Sequence, residues 1–127
     1  MVLMIQLDYD RSEGVSDDMI AVNLYYTGEN GNARKFAEEM ERGGTAALIR
    51  SEKGNLRYEY FFPMSDPETV LLIDIWEDQA AIDAHHSSPM MTEIVRLREK
   101  FGLRVRAERF ITDADGIPES DMKFIEK

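Results

Sequence analysis

LRYEYFFPMSDPETVLLIDIW, residues 56–76, reads as two strands joined by a turn. In the first run Leu56, Tyr58, Tyr60 and Phe62 fall on one side and Arg57, Glu59 and Phe61 on the other, and Pro63 closes it. Alternation of period two, carried by aromatic and β-branched residues, is the pattern of a half-buried strand. Met64 to Glu68 makes a polar turn. From Thr69 to Trp76 the alternation resumes, with Leu71, Ile73 and Ile75 facing one way and Val70, Leu72, Asp74 and Trp76 the other. The two runs predict a hairpin.

Toward the N-terminus, Ile20 to Tyr26 alternates in the same way, placing Ile20, Val22, Leu24 and Tyr26 on one face. After a turn cluster at residues 28–32, Ala33, Phe36, Ala37, Met40, Gly44, Ala47 and Leu48 recur at helical spacing. Each glycine of Gly43-Gly44 disfavours helix by about 1 kcal/mol relative to alanine, so the helix is expected to kink or break there. Toward the C-terminus, Asp78 is placed to cap a short helix through His85, and Ser88-Pro89 opens another. That second helix carries the stripe Met90, Ile94, Leu97 and Phe101 and ends at Gly102. A last strand, Arg104 to Ile111, has Leu103, Val105, Ala107 and Ile111 on its apolar face.

The order β-α-β-β-α-β predicts an α+β, ferredoxin-like antiparallel sheet with helices on one face. Arg57, Phe61, Trp76 and Phe110 are expected to project from the uncovered face, and large aromatics there favour burial against a second copy. A face-to-face homodimer, forming a dimeric α/β barrel, is therefore expected.

With 127 residues, 43% of them hydrophobic and 31% charged, the chain suits one globular domain. That domain is read as residues 19–111, between an N-terminal extension, 1–18, and an acidic C-terminal tail, 112–127. The net charge of -10 is concentrated at the ends: the first eighteen residues hold five acids against Arg11 alone. A negative surface disfavours nucleic acid and anionic membranes as partners. Arg96, Arg98, Lys100, Arg104, Arg106 and Arg109 lie close in sequence and read as a solvated helix face followed by an exposed strand. The short apolar runs Val2 to Leu7 and Met122 to Ile125 are expected to add edge strands or dimer contacts.

There is no cysteine, which removes disulfides, thiolate nucleophiles and zinc-thiolate sites and suits a cytoplasmic location. No signal sequence is read at the N-terminus, and no apolar run approaches the ~20 residues of a membrane span. Glycine-rich phosphate loops and a Gly-x-Ser-x-Gly elbow are absent as well. His85 and His86 are adjacent and point about 100° apart on a helix, so they do not chelate one metal together. Asp113 to Gly116 reads as a solvated turn rather than a calcium loop. Neither a metal nor a cofactor is expected.

Three segments in order, Glu52-Lys53-Gly54-Asn55-Leu56-Arg57-Tyr58, then Ile75-Trp76 with Ala80, Ala81 and Ala84-His85, then Ser88-Pro89, resemble the antibiotic biosynthesis monooxygenase family. The resemblance covers approximately residues 19–111. It implies a cofactor-free monooxygenase acting with dioxygen on a small quinol, polyphenol or enol-type aromatic. Polyketide-oxidising members resemble a pattern that Trp76 and Arg96 match and Leu72 and Ile82 do not. Haem-degrading members resemble one whose first-strand asparagine is matched by Asn23, while His85 and Val95 depart from it. Gly54 to Tyr58 is also similar to the autoinducer-2-phosphate isomerase branch, so isomerisation is the rival reading, followed by a non-catalytic small-molecule-binding or stress-response dimer.

On that resemblance Trp76, Tyr58 and Phe36 wall a cavity. Asn23 donates to an enolate oxygen, Arg96 stabilises the anion and His85 takes the proton. The plainer alternatives are core roles for Trp76 and Tyr58, a strand contact for Asn23 and a solvent-facing Arg96.

Overall fold

The computed structural model describes Val2–Leu3 and residues 19–125. Five strands form one sheet in the order β1-β5-β2-β4-β3. They are β1 (Val2–Leu3), β2 (Ile20–Thr27), β3 (Asn55–Phe61), β4 (Thr69–Trp76) and β5 (Arg104–Thr112). The helices are α1 (Asn32–Arg42), α2 (Thr45–Arg50), α3 (Gln79–His86), α4 (Pro89–Lys100) and the single turn α5 (Glu119–Met122). Strands β2 to β5 pair antiparallel in the ferredoxin-like arrangement, and β1 adds a short parallel edge beside β5.

The 56–76 hairpin forms as β3 and β4, with Tyr58 opposite Asp74 and Tyr60 opposite Leu72. The long helix does break. Gly44 takes φ +86°, a left-handed conformation open to glycine, and starts α2 after α1 has ended at Arg42. Asp78 caps α3 by accepting a hydrogen bond from the Ala81 backbone N–H at 2.8 Å. Ser88 precedes α4 without capping it: its hydroxyl donates to the His85 carbonyl at 2.7 Å and ties the end of α3 to the start of α4.

One face of the sheet carries the core. Ile20 and Tyr26 of β2, Tyr58 of β3 and Leu72 and Trp76 of β4 pack there against Phe36, Met40, Ile49, Ile82, Ile94 and Leu97 from the helices. Two expectations change. Trp76 does not project from the open face but is buried on the helix side, the side shared by Leu72 and Asp74. The apolar face of β5 is not covered: Val105 is 36% exposed and Ile111 38%. Helices lie over β2, β4 and β3, and β5 overhangs them at the sheet margin. Arg57, Phe61 and Phe110 do share the open face, by register with Ile75, Leu71 and Ala21.

Val2–Leu3 forms an edge strand as expected, whereas residues 4–7 of that run lie outside the described residues. Met122 to Ile125 begins in the helical turn α5 and makes no strand.

Candidate active site

Between the sheet and helices α3 and α4 lies a cavity of about 340 Å³. Its floor is the helix-side face of the strands: Val22, Leu24 and Tyr26 of β2, Tyr58 of β3, Leu72, Asp74 and Trp76 of β4, and Ala107 and Arg109 of β5. Its roof is Gln79, Ile82, His85 and His86 of α3 with Met91 and Ile94 of α4. α3 is eight residues long and is tied at its end to the start of α4 by the Ser88 hydroxyl, so both helices border the space.

Three of the residues singled out in the sequence meet here. The His85 ring lies 4.9 Å from the Trp76 ring, tilted by 30°, and 6.4 Å from the Tyr58 ring, nearly edge-on. His85 is 4% exposed, and its Nδ1 sits 2.8 Å from Oε1 of Glu52, a residue in the turn that leads into β3. With the Nδ1–H donating to the Glu52 carboxylate, Nε2 is the ring nitrogen left to exchange a proton with a ligand. The pair therefore has the parts of an oriented general base.

The other three are elsewhere. Asn23 sits on β2 between Val22 and Leu24, and strand alternation turns it to the opposite, open face, in the row of Ile73 and Glu108. Arg96 follows Ile94 by two residues, which carries it round to the solvent side of α4. Its side chain is 59% exposed and donates two hydrogen bonds to the Glu93 carboxylate, at 2.8 and 2.6 Å. Phe36 of α1 is buried in the core on the same side of the sheet, against Tyr26 at 4.7 Å, and does not line the cavity.

Asp74 is the residue the sequence reading left out. It is 6% exposed, lines the cavity, and its Oδ1 is buried with no hydrogen-bond partner. Burial, with a smaller contribution from the Glu52 charge, pushes its carboxyl up to about 7 from 3.8, while the indole N–H of Trp76 pulls the other way. A signal was present in the sequence, since a lone acid in an otherwise apolar strand shares the face of Leu72 and Trp76. Burial also holds the Tyr58 and Tyr26 phenols well above their ordinary range, so both remain protonated hydrogen-bond donors. Among the described residues no group of three or more His, Asp or Glu is placed to hold a metal ion. Among the described residues no helix is long and apolar enough to cross a membrane.

The family model of antibiotic biosynthesis monooxygenase matches residues 19–97, a span holding β2 to β4, α1 to α3 and most of α4. The chain belongs to the antibiotic biosynthesis monooxygenase family. Among solved structures, a conserved protein of unknown function from Bacteroides thetaiotaomicron superposes with a TM-score of 0.66 at 18% identity, over 76% of this chain and 99% of that one. A protein from Pseudomonas aeruginosa gives 0.63 at 22% identity, over 74% and 93%. SnoaB, a cofactor-independent oxygenase from Streptomyces nogalater, gives 0.62 at 16% identity, over 73% and 91%. Identities this low carry the fold and no more. No curated protein matches the chain. For this antibiotic biosynthesis monooxygenase family member, the chemistry has to be argued from the cavity.

Proposed function

We propose that the protein is a cofactor-independent monooxygenase acting on a small quinol, polyphenol or enol-type aromatic. The observation that carries this is a half-open, mainly apolar cavity with two proton acceptors of different kinds on its walls, His85 oriented by Glu52 and Asp74 with its unpartnered Oδ1. A quinol has two hydroxyls for them. Nε2 of His85 takes one proton, Asp74 accepts a hydrogen bond from the other hydroxyl, and the ring lies against Trp76. The resulting anion is rich enough in electrons to reduce dioxygen, and the apolar walls keep water from competing.

The substrate is its own reductant. One oxygen atom of O₂ replaces a ring hydrogen as a hydroxyl, the other leaves as water, and the quinol becomes a hydroxyquinone, so four electrons and all atoms balance without flavin or metal. The working unit is proposed to be a homodimer, joined through the open face.

The test is oxygen uptake by chelator-treated protein with hydroquinone and substituted quinols, using ¹⁸O₂ to follow the label. The expected result is one O₂ consumed per substrate and one labelled atom in the product. His85→Ala should lower the rate about 100-fold or more with the fold intact by circular dichroism. No uptake with any quinol, or a rate indifferent to His85→Ala, would overturn the assignment. Turnover of a phosphorylated keto-sugar without oxygen would move the protein to the isomerase branch, and a ligand-induced rise in Tm without product to a binding role.

A further inference from the structure

One row of the sheet runs through the cavity floor from end to end. Tyr58 on β3 stands opposite Asp74 on β4, Asp74 opposite Val22 on β2, and Val22 opposite Arg109 on β5. Residues opposite one another on neighbouring strands point to the same face, and all four line the cavity. Asp74 and Arg109 are two strand spacings apart, about 10 Å between Cα atoms. Val22 is the only side chain of the row between them.

The two ends are opposite in charge and in setting. Asp74 is at the closed end, with its Oδ1 unpartnered. Arg109 is at the exposed edge where β5 overhangs the helices, and it makes no ion pair with any described acid. Its neighbour Glu108 is turned by strand alternation to the open face, where it lies 3.4 Å from Arg106. A carboxyl whose Oδ1 has no hydrogen-bond partner and a guanidinium without an ion pair among the described residues thus face one apolar space one aromatic ring long.

We propose that the cavity selects hydroxyaromatic carboxylates: the ligand's hydroxyl donates to Asp74 at the closed end, its carboxylate meets Arg109 at the mouth, and its ring lies over Val22. This rests on the reading of the cavity as an aromatic-binding site and adds the substrate class. A planar guanidinium receives a carboxylate through two parallel N–H bonds, so Arg109 sets both the charge and the orientation of what enters.

The experiment is anaerobic titration calorimetry with 2,5-dihydroxybenzoate and its methyl ester, in which a methyl group replaces the negative charge. The wild-type protein is expected to bind the acid about tenfold more tightly than the ester. Arg109→Gln should remove that preference and leave ester affinity within about twofold, because the ester does not use the charge. Arg96→Gln deletes the same charge from the solvent side of α4, outside the cavity, and should keep the preference, which separates a local contact from the net charge of the protein. Equal affinity for acid and ester in the wild type, or a preference that survives Arg109→Gln, would overturn the proposal while leaving the aromatic cavity standing. If neither ligand binds, the aromatic cavity and the proposal fall together.

Discussion

Asp74 costs the protein stability, and the size of that cost depends on pH. Its carboxyl is pushed up to about 7 in the folded chain from an ordinary 3.8, so between those values the native state holds a proton that the unfolded state has released. Stability falls with pH wherever the native state binds more protons, and here the penalty develops above pH about 4 and is complete above about 7. At pH 8 it is on the order of a few kcal/mol. Asp74→Asn is nearly the same size and cannot ionise. It should raise Tm above wild type at pH 8 and leave it nearly unchanged at pH 4, as read by parallel thermal melts. A Tm difference that does not change with pH would mean that Asp74 is not held in the way described. The residues of the site were unequally legible. Tyr58 could be read because it lies on the apolar face of an alternating strand; Trp76 shares such a face with Leu72, yet its bulk at the strand end suggested the open side, and His85 entered through likeness to relatives. Glu52 meets His85 across 33 residues of sequence, and no local pattern records such a contact. Arg96 and Asn23 were placed in the cavity by likeness to relatives, while their own phase, two residues after Ile94 and between Val22 and Leu24, points them away.

At the level of elements, the turn before β3 and the helix α3 act as one piece. Gly54 has φ +86°, the Glu77 backbone N–H donates to its carbonyl at 2.9 Å, and a Cβ built on it would come within 2.5 Å of the Ala81 Cβ. The same turn holds Glu52, and the same helix holds His85. The segment from Glu52 to Tyr58 therefore has a physical reading: one residue orients the imidazole, one allows α3 to approach, and one lines the cavity. Its spacing could be seen in the sequence, but the reason for it required α3 to be seen lying against it. Gly54→Ala adds a methyl group in a left-handed conformation and drives it into the helix, so a loss of about 2–3 kcal/mol is expected. Urea unfolding would measure it as a lower midpoint with an unchanged slope. The variant should also bind aromatic ligands more weakly, because α3 can yield only by carrying His85 away from Trp76. Wild-type stability in Gly54→Ala would show that the turn and the helix are not packed as described.

For the whole molecule, the sheet has two faces with different work, and period-two alternation keeps them apart. The helix face holds the cavity. The open face carries Tyr25, Phe61, Leu71, Ile73 and Phe110, all half-buried, so a broad apolar surface there still meets solvent in the single chain. Stable protein interfaces bury about 800 Å² per partner, and a four-stranded face is of the size to supply it. The same face on a second copy is self-complementary by symmetry, with Arg106 and Glu108 available to set the register. At micromolar concentration, sedimentation is expected to give a species of twice 14.6 kDa. Leu71→Arg places a charge at the middle of that face and should yield monomer. Its neighbour Leu72 points into the core on the other side, so the monomeric variant should keep its fold and the aromatic cavity. A wild-type monomer, or a dimer indifferent to Leu71→Arg, would rule out association through this face. A Leu71→Arg monomer that binds aromatics like the wild type would show that one chain supplies the binding site, whereas loss of binding on dissociation would mean that the partner completes the mouth beside Arg109.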